Sequence, residues 1–375
     1  MEREINQKTE IREFNSALFS LFKSSGAYQA NRNWIASPLS IYTASLVLLE
    51  GLEGESKEEW IQALQLNPKG SLLHKTVLNR LKDLVSEDSE NLKILNSVWV
   101  EESLKVKGAY KKKVESQYKA PIKHIPMNRR WTWQINDWIS EATSGAIDSV
   151  IDNLDAKDLL IIINTIYFKD KWTKQFKPHK NKTLPFYQSS EVNFPLLFMK
   201  QQSKFRYLKT GGFNLIALKT RRTKASFVAC IPDKEDLFDP ITDFRVEFLD
   251  QLLSNKKEVV VDLELPKFKF DQSLNLIEIL KGLGVKKVFS SRDCEGFGGI
   301  FEDRKNAHVS SFIHKAFIDV NEVGVEAGAV SALKATLSKG PNKLVSLRLN
   351  RPFLFFIVDE ESKLILFTGV YRGHQ

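Results

Sequence analysis

The chain has 375 residues, of which 42% are hydrophobic and 27% are charged. This composition allows a large buried core and excludes intrinsic disorder as the default state. The 55 basic residues outnumber the 46 acidic ones and give a net charge of +9. Because the basic excess is spread along the chain, it favours a solvated basic surface, with polyanion binding as the alternative.

No linker rich in Pro, Gly or Ser and no internal repeat divides the sequence, so we expect one domain over residues 1–375. The first ten residues are polar and charged where a secretory signal would be apolar, and no apolar stretch reaches membrane-spanning length. We expect either an extracellular protein whose signal has been removed or a cytoplasmic one. A glycosylation pattern at Asn181 suits the first case. Cys230 and Cys294 lie in different predicted elements, which predicts buried thiols outside any disulfide framework.

Helical spacing of apolar residues dominates the first part of the chain. The predicted helices cover residues 10–22, 41–49, 56–64, 72–84, 108–118 and 132–144. Continuous apolar runs at 159–163 and 227–231 are then typical of buried central strands. A half-buried strand at 259–265, a helix at 273–283 and two strands at 353–358 and 364–370 complete the prediction. Helices followed mostly by strands predict an α+β domain with large sheets.

Familiar catalytic motifs are absent from the sequence. It contains no phosphate-binding loop, no zinc-protease helix, no nucleophile elbow and no CxxC pair. We therefore expect a protein that is not an enzyme and that holds no metal or cofactor. A lysine cluster lies on and before the helix predicted at 108–118 and comprises Lys105, Lys107, Lys111, Lys112 and Lys113. It lacks interleaved aromatic residues, which disfavours nucleic acid and leaves a polyanion such as glycosaminoglycan open.

Several separated segments resemble the serpin family and follow that family's order along the chain. The segments are 33–41 (NWIASPLSI), 164–172 (NTIYFKDKW), 265–268 (LPKF), 280–284 (LKGLG), 288–289 (VF), 314–316 (HKA), 320–327 (VNEVGVEA) and 351–355 (RPFLF). Any one segment is a weak signal, whereas their joint order and spacing are highly specific. By this resemblance the chain is identified as a serpin.

The resemblance implies the serpin fold, with three β-sheets, about nine helices and an exposed reactive-centre loop at about residues 324–343. In the family a protease cuts this loop, the loop inserts as a new strand of the five-stranded central sheet, and the acylated protease is distorted at the far end. The uncut fold is metastable and stores the energy for this step. Small residues suit insertion into a sheet, and the loop has several: Gly324, Ala327, Gly328, Ala329, Ser331, Ala332 and Ala335.

The resemblance also assigns residues to three working parts of a serpin. The hinge comprises Glu322, Gly324, Val325 and Ala327; the shutter comprises Ser37, Ser40, Asn164 and His314; the breach comprises Trp172, Lys267 and Glu322. The shutter is a hydrogen-bond network that must rearrange during insertion, and the breach Lys and Glu pair at the top of the sheet. The hinge departs from the family pattern, since Thr or Ser is commoner at the Val325 position and Ala is commoner at Gly328 and Val330.

The cleaved bond follows from the nearly fixed distance that inhibitory serpins keep between the hinge glycine and that bond. Counting fourteen residues from Gly324 reaches Ser338 and predicts cleavage at Ser338–Lys339. That bond would suit a papain-like cysteine protease or a serine protease that accepts a small residue. The alternative bond, Lys339–Gly340, would suit a trypsin-like protease.

Two functions remain open on the sequence. The first is a suicide-substrate inhibitor of an endopeptidase, serine-type or papain-like, that acts as a monomer, forms a covalent complex with its target and binds neither nucleic acid nor membranes. The second is a non-inhibitory serpin with a carrier, chaperone or storage role.

Overall fold

A computed structural model describes residues 32–63, 91–143, 145, 147–234, 239–292, 294–303, 306–325 and 344–373, with single residues 11, 12, 15, 16, 19, 20, 23 and 79. The chain forms two compact units. Unit 1 comprises Met1–Ile35, Phe168–Phe270 and Ile318–Gln375, and unit 2 comprises Ala36–Tyr167 and Asp271–Phe317. Each unit draws on separate stretches of chain, and one domain over residues 1–375 stays a prediction.

The secondary structure of the described residues includes six α-helices and sixteen strands. The helices are α1 Pro38–Leu49, α2 Gly54–Ala63, α3 Gly108–Tyr118, α4 Thr132–Ala142, α5 Glu247–Ser254 and α6 Leu276–Gly282. The strands are β1 Trp34–Ala36, β2 Leu92–Glu101, β3 Ile122–Ile125, β4 Leu160–Phe168, β5 Asp170–Lys171, β6 Lys182–Tyr187, β7 Asn193–Thr210, β8 Phe213–Lys219, β9 Ala225–Pro232, β10 Glu258–Pro266, β11 Phe268–Asn275, β12 Val309–Val320, β13 Gly324–Val325, β14 Val345–Arg348, β15 Phe353–Asp359 and β16 Ile365–Tyr371.

Helix α1 begins three residues earlier than its apolar pattern predicts. Ser37 is the N-cap, and its hydroxyl accepts a hydrogen bond from the Ser40 N–H at 3.1 Å. Pro38 occupies the first turn, where its missing N–H costs nothing. Helix α3 has the predicted bounds. The helix predicted at 72–84 lies outside the described residues, as do most positions of the one predicted at 10–22.

The helix predicted at 273–283 is wrong at its start. Residues 273–275 belong to strand β11, and α6 begins only at Leu276. The cause is Asn275, which has an extended backbone and accepts a hydrogen bond from the Ile277 N–H at 3.1 Å. An N-cap of this kind ends the strand and starts the helix.

Unit 1 contains a nine-stranded sheet with the strand order β1-β16-β15-β9-β8-β7-β10-β14, and β6 pairs with β7 beside this path. Strands β9 and β15 are buried throughout, as their uninterrupted apolar sequences predict. Phe227 of β9 stacks on Phe355 of β15 with ring centroids 5.8 Å apart. The centre of this sheet therefore forms a rigid apolar core.

The three separate sheets expected from the resemblance are not confirmed by this strand pairing, because one long strand joins its neighbours into a single sheet. Strand β7 has 18 residues and pairs successively with β6, with β10 and with β8. Its partners consequently belong to one hydrogen-bonded sheet in the described part of unit 1. The expected nine helices are not confirmed either, since the described residues contain six α-helices.

Unit 2 contains four neighbouring strands in the order β3-β2-β4-β12. All nine residues of β4 are buried. Strands β4 and β12 run parallel, and their register places His314 opposite Asn164. Helix α4 packs Ile135 and Ile139 into a cluster with Ile161 of β4, and the partly buried Trp138 packs against this cluster. This sheet positions the shutter.

Candidate functional site

The four predicted shutter residues lie together in unit 2. Ser37 and Ser40 are at the start of α1, and Asn164 and His314 face each other across the β4–β12 pair. All four are completely buried. The serines are therefore placed by the helix cap, and the other two by strand register.

His314 links helix α1 to strand β4. The Ser37 N–H donates to His314 Nε2 at 3.0 Å, and His314 Nδ1 lies 2.6 Å from Asn164 Oδ1. Because Nε2 accepts, the neutral ring carries its proton on Nδ1 and donates it to Asn164. Burial lowers the pKa of His314 to about 3. The imidazole is therefore neutral at physiological pH. Protonation of Nε2 would place its N–H opposite the N–H of Ser37, so that two donors would face each other.

Asn164 is the centre of the network. Its Nδ2 donates to Ser40 Oγ at 2.7 Å and to Asn96 Oδ1 at 2.6 Å, while its Oδ1 accepts from His314. Asn96 Nδ2 lies 3.4 Å from Thr43 Oγ1. Both amide hydrogens and the oxygen of Asn164 are thus bonded in a buried site, which makes separation of these residues costly.

Asn96 and Thr43 belong to the hydrogen-bond network of the predicted shutter residues, and sequence reasoning missed them. Asn96 is a buried polar residue in the middle of the apolar strand β2, LKILNSVWVE. An isolated amide in such a run indicates a buried hydrogen-bond partner, and this was the available signal.

The breach residues lie together in unit 1. Lys267 Nζ is 3.0 Å from Glu322 Oε2; the Lys267 side chain is 43% exposed and that of Glu322 is 11% exposed. Burial opposes the charge of Glu322, but hydrogen bonds from its own backbone, Lys267 and Asn181 outweigh it and hold the pKa of Glu322 below its ordinary value. The carboxylate is the buried member of this pair.

Trp172 holds the segment that leads into the hinge. Its backbone N–H donates to Val323 O at 2.9 Å, and its indole Nε1 donates to Asn321 O at 2.8 Å. The indole is buried and packs edge-on against Phe227 at 5.8 Å. Trp172 is thus hydrogen-bonded to both neighbours of Glu322, Asn321 and Val323.

Asn181 and Asn321 contact the predicted breach and hinge residues, although the resemblance does not name them. Asn181 Nδ2 donates to Glu322 Oε1 at 2.6 Å. The amide that the glycosylation pattern singles out is therefore engaged in a side-chain contact. Asn321 Oδ1 accepts from the N–H groups of Val323 and Gly324 at 3.0 and 3.3 Å, which shapes the turn between β12 and β13.

The described hinge residues Gly324 and Val325 form strand β13. Val325 is paired with Val320 of β12 and with Asp170 of β5, antiparallel to both. Its side chain is completely buried. At Gly324 an added Cβ would lie 2.0 Å from Asp170 O, so only glycine permits this close approach. The first residues of the predicted loop are already strand residues. Ala327, Ser338, Lys339 and Gly340 lie outside the described residues.

The lysine cluster is exposed, but several of its members have partners. Lys113 forms an ion pair with Glu50, and Lys111 Nζ lies 3.9 Å from Glu115. Lys107 Nζ donates to Gly298 O at 2.6 Å. Lys105 and Lys112 are also exposed. Local partners thus neutralise part of the charge that the sequence pattern concentrates here.

Metal-binding groups and membrane-spanning helices are both absent from the described residues. They contain no group of three His, Cys, Asp or Glu side chains that could hold a metal ion. None of the described helices combines the length and apolar character needed to span a membrane. Cys230 is a buried free thiol, and burial raises its pKa. The Cys294 side chain lies outside the described residues.

The chain is similar to known protease inhibitors over almost its full length. It is 30% identical to the leukocyte elastase inhibitor of Xenopus tropicalis, covering 95% of this chain and 97% of that protein. It is 27% identical to intracellular coagulation inhibitor 2 of Tachypleus tridentatus, covering 98% and 91%.

Solved structures agree in fold. Human thyroxine-binding globulin superposes with a TM-score of 0.87 at 20% identity, covering 98% of this chain and 99% of the other. Native protease nexin-1 with heparin gives 0.86 at 22% identity, covering 98% and 100%. The family model for Serpin (serine protease inhibitor) matches residues 13–372. The chain belongs to the serpin family.

Proposed function

We propose that this chain is a suicide-substrate inhibitor of an endopeptidase. The observation that carries the proposal is strand β13, where Val325 is already buried between β12 and β5. A cut further along the loop would release the following residues to extend β13. Related inhibitors align over 95% and 98% of the chain and support this function.

The strand directions supply a driving force for insertion. Strands β4 and β12 form a parallel pair, and β13 runs antiparallel to β12. If β13 extends between β4 and β12, one parallel interface is replaced by two antiparallel ones, which are slightly more stable per residue. Side chains buried by the new strand add a hydrophobic contribution.

The hydrogen bonds of the shutter oppose the insertion of the loop. Extension of β13 along β12 must separate Asn164 from His314, which are register partners joined by a hydrogen bond. The network holds the uncut sheet closed, and the inserted strand must compensate for its loss. Insertion is therefore slow before the cut and favourable after it.

The bond predicted to be cleaved indicates which proteases are candidate targets. The target's nucleophile attacks the carbonyl carbon of Ser338, the Ser338–Lys339 bond breaks, and the amine of Lys339 leaves with the proton from the protease's general acid. Ser338 stays bound to the target as an ester or, with a cysteine protease, a thioester. Cleavage at Lys339–Gly340 is the alternative and marks a trypsin-like target.

Incubation with one papain-like, one elastase-like and one trypsin-like protease tests the proposal. We expect a complex that survives denaturing electrophoresis with one of them, and a released C-terminal peptide beginning at Lys339 or Gly340 by mass spectrometry. A catalytically inactive protease variant is the control and should give no complex. Complete cleavage without a complex by every protease would contradict inhibition and favour the non-inhibitory alternative.

We propose a glycosaminoglycan as a second partner, bound at the exposed lysines on and before α3. Protease nexin-1, which has the same fold, was solved with heparin, and this supports testing heparin here. Replacing Lys105 and Lys112 by Ala should lower the salt concentration that elutes the protein from heparin. The control replaces the exposed Lys256 and Lys257, which carry the same total charge. Equal elution of the two double variants would contradict this site.

A further inference from the structure

A small cavity in unit 1 lies outside the shutter and the hinge. It has a volume of about 210 Å³ and is bordered by the segment after β5, by strands β7 and β8, and by the first residue of β10. Its apolar wall includes Trp172, Phe205 and Leu218, each at least 95% buried. The Trp172 hydrogen bonds described above hold this wall in place. The cavity therefore has a preformed apolar side.

Charged residues also line the cavity. Among the described residues they include Lys174, Lys219 and the carboxylate of Glu258, while Lys204 contributes its backbone carbonyl oxygen. Glu258 is shared, because its oxygens lie 3.8 Å from Lys174 Nζ and 3.4 Å from Lys219 Nζ. Two ammonium groups beside this carboxylate leave a net positive charge at the cavity.

Lys174 lies beside the apolar wall of the cavity. Its Nζ donates to Lys204 O at 2.7 Å and lies 5.7 Å from the centre of the Phe205 ring. An ammonium group is thus held beside an aromatic face, where it can meet the charged end of a ligand whose body lies on the ring.

We propose that this cavity binds a small amphiphilic anion, a carboxylate or sulfonate carried on one aromatic ring system or a short alkyl chain. The acidic group faces the lysines and the apolar body lies against Trp172 and Phe205. The volume is below the roughly 300–1,000 Å³ of sites for drug-sized ligands, which sets the limit on ligand size. The lysine side chains are about half exposed, so the affinity falls with added salt.

Calorimetric titration of the intact chain with 2-naphthoate at low salt tests the site, with the neutral 2-naphthamide as the matched probe. We expect the anion to bind about tenfold more tightly, as the product of about threefold for each of two ammonium contacts at exposed positions. Lys174→Met and Lys219→Met should each weaken 2-naphthoate binding about threefold. Both substitutions keep an apolar stem and lie on the surface, so the fold is retained.

Glu258→Gln should change the affinity for 2-naphthoate in the opposite direction. Removing this carboxylate from the lining of the cavity should tighten 2-naphthoate binding about threefold, because the competing like charge is gone. Lys182→Met removes an exposed lysine outside the cavity and should leave binding unchanged. Equal affinity for the two probes, no binding of the anion, or equal effects of Lys182→Met and Lys219→Met would each overturn the proposal.

Discussion

His314 makes the stability of the protein depend on pH through a single buried side chain. In the folded state the His314 side chain is neutral and its pKa is about 3, whereas in the unfolded chain the pKa of the same side chain lies near its ordinary value of 6.5. As pH falls through 6.5 the unfolded state takes up the proton first, so its free energy falls relative to the folded state. The stabilisation is complete above pH 6.5 and is lost progressively toward pH 3.

Replacing His314 by Gln should flatten this pH dependence. Between pH 7.5 and pH 5 the parent should lose about 2 kcal/mol more of unfolding free energy than His314→Gln, measured by urea denaturation at both values. His124, which is exposed on β3, is the matched control, and His124→Gln should keep the parental pH dependence. Parallel pH curves for the parent and His314→Gln would refute the neutral buried imidazole.

Glu322 and Lys267 form one ion pair, but their removal should not cost the same. Glu322→Ala leaves the Asn181 amide without its acceptor and should cost about 1–3 kcal/mol. Lys267 is partly exposed, and Lys267→Ala should cost about 0–1 kcal/mol. Thermal or urea unfolding measures both, with Glu361→Ala in the exposed pair with Lys224 as the control. A larger effect at Lys267 than at Glu322 would contradict this account.

At the scale of elements, the proposed insertion depends on strand β13, which the cut loop would extend. Val325 is completely buried between its neighbours, so Val325→Arg would bury an unpaired charge at a cost of several kcal/mol. We expect this variant to be cleaved as a substrate, with more inhibitor consumed for each protease molecule trapped, as read from titration of protease activity. Leu344→Arg is the control, because Leu344 is 52% exposed beyond the loop. If Val325→Arg consumed the same amount of inhibitor for each trapped protease molecule as the parent, Val325 would have no role in the hinge.

For the whole molecule, the proposed insertion predicts that the uncut fold is not the most stable one available, because the parallel β4–β12 pair would be replaced by two antiparallel ones. A cut within residues 336–340 should raise the thermal midpoint by tens of degrees, because the loop completes the sheet. Differential scanning calorimetry of intact and cut protein measures the shift, and a nick after the exposed Lys256 serves as the control. An unchanged or lower midpoint after the loop cut would exclude insertion.

The sequence by itself predicts what depends on neighbours along the chain. The apolar period places α3 at its observed bounds, and uninterrupted apolar runs identify β4 and β9 as buried strands. The ordered segments from residue 33 to residue 372 identify the family, which the family match over residues 13–372 confirms, and they predict the shutter and breach residues. Local signals also mark the cap at Asn275, but the apolar pattern extends across it and the helix start was misplaced.

Only the tertiary structure decides which distant residues meet. Asn96 and Asn164 are 68 positions apart, Asn181 and Glu322 are 141 apart, and no local pattern encodes either contact. The tautomer and lowered pKa of His314 follow from burial and from a partner at Ser37, both set by packing. Hydrophobic periodicity reports which face of an element is buried, whereas hydrogen-bond partners depend on how elements are arranged in space.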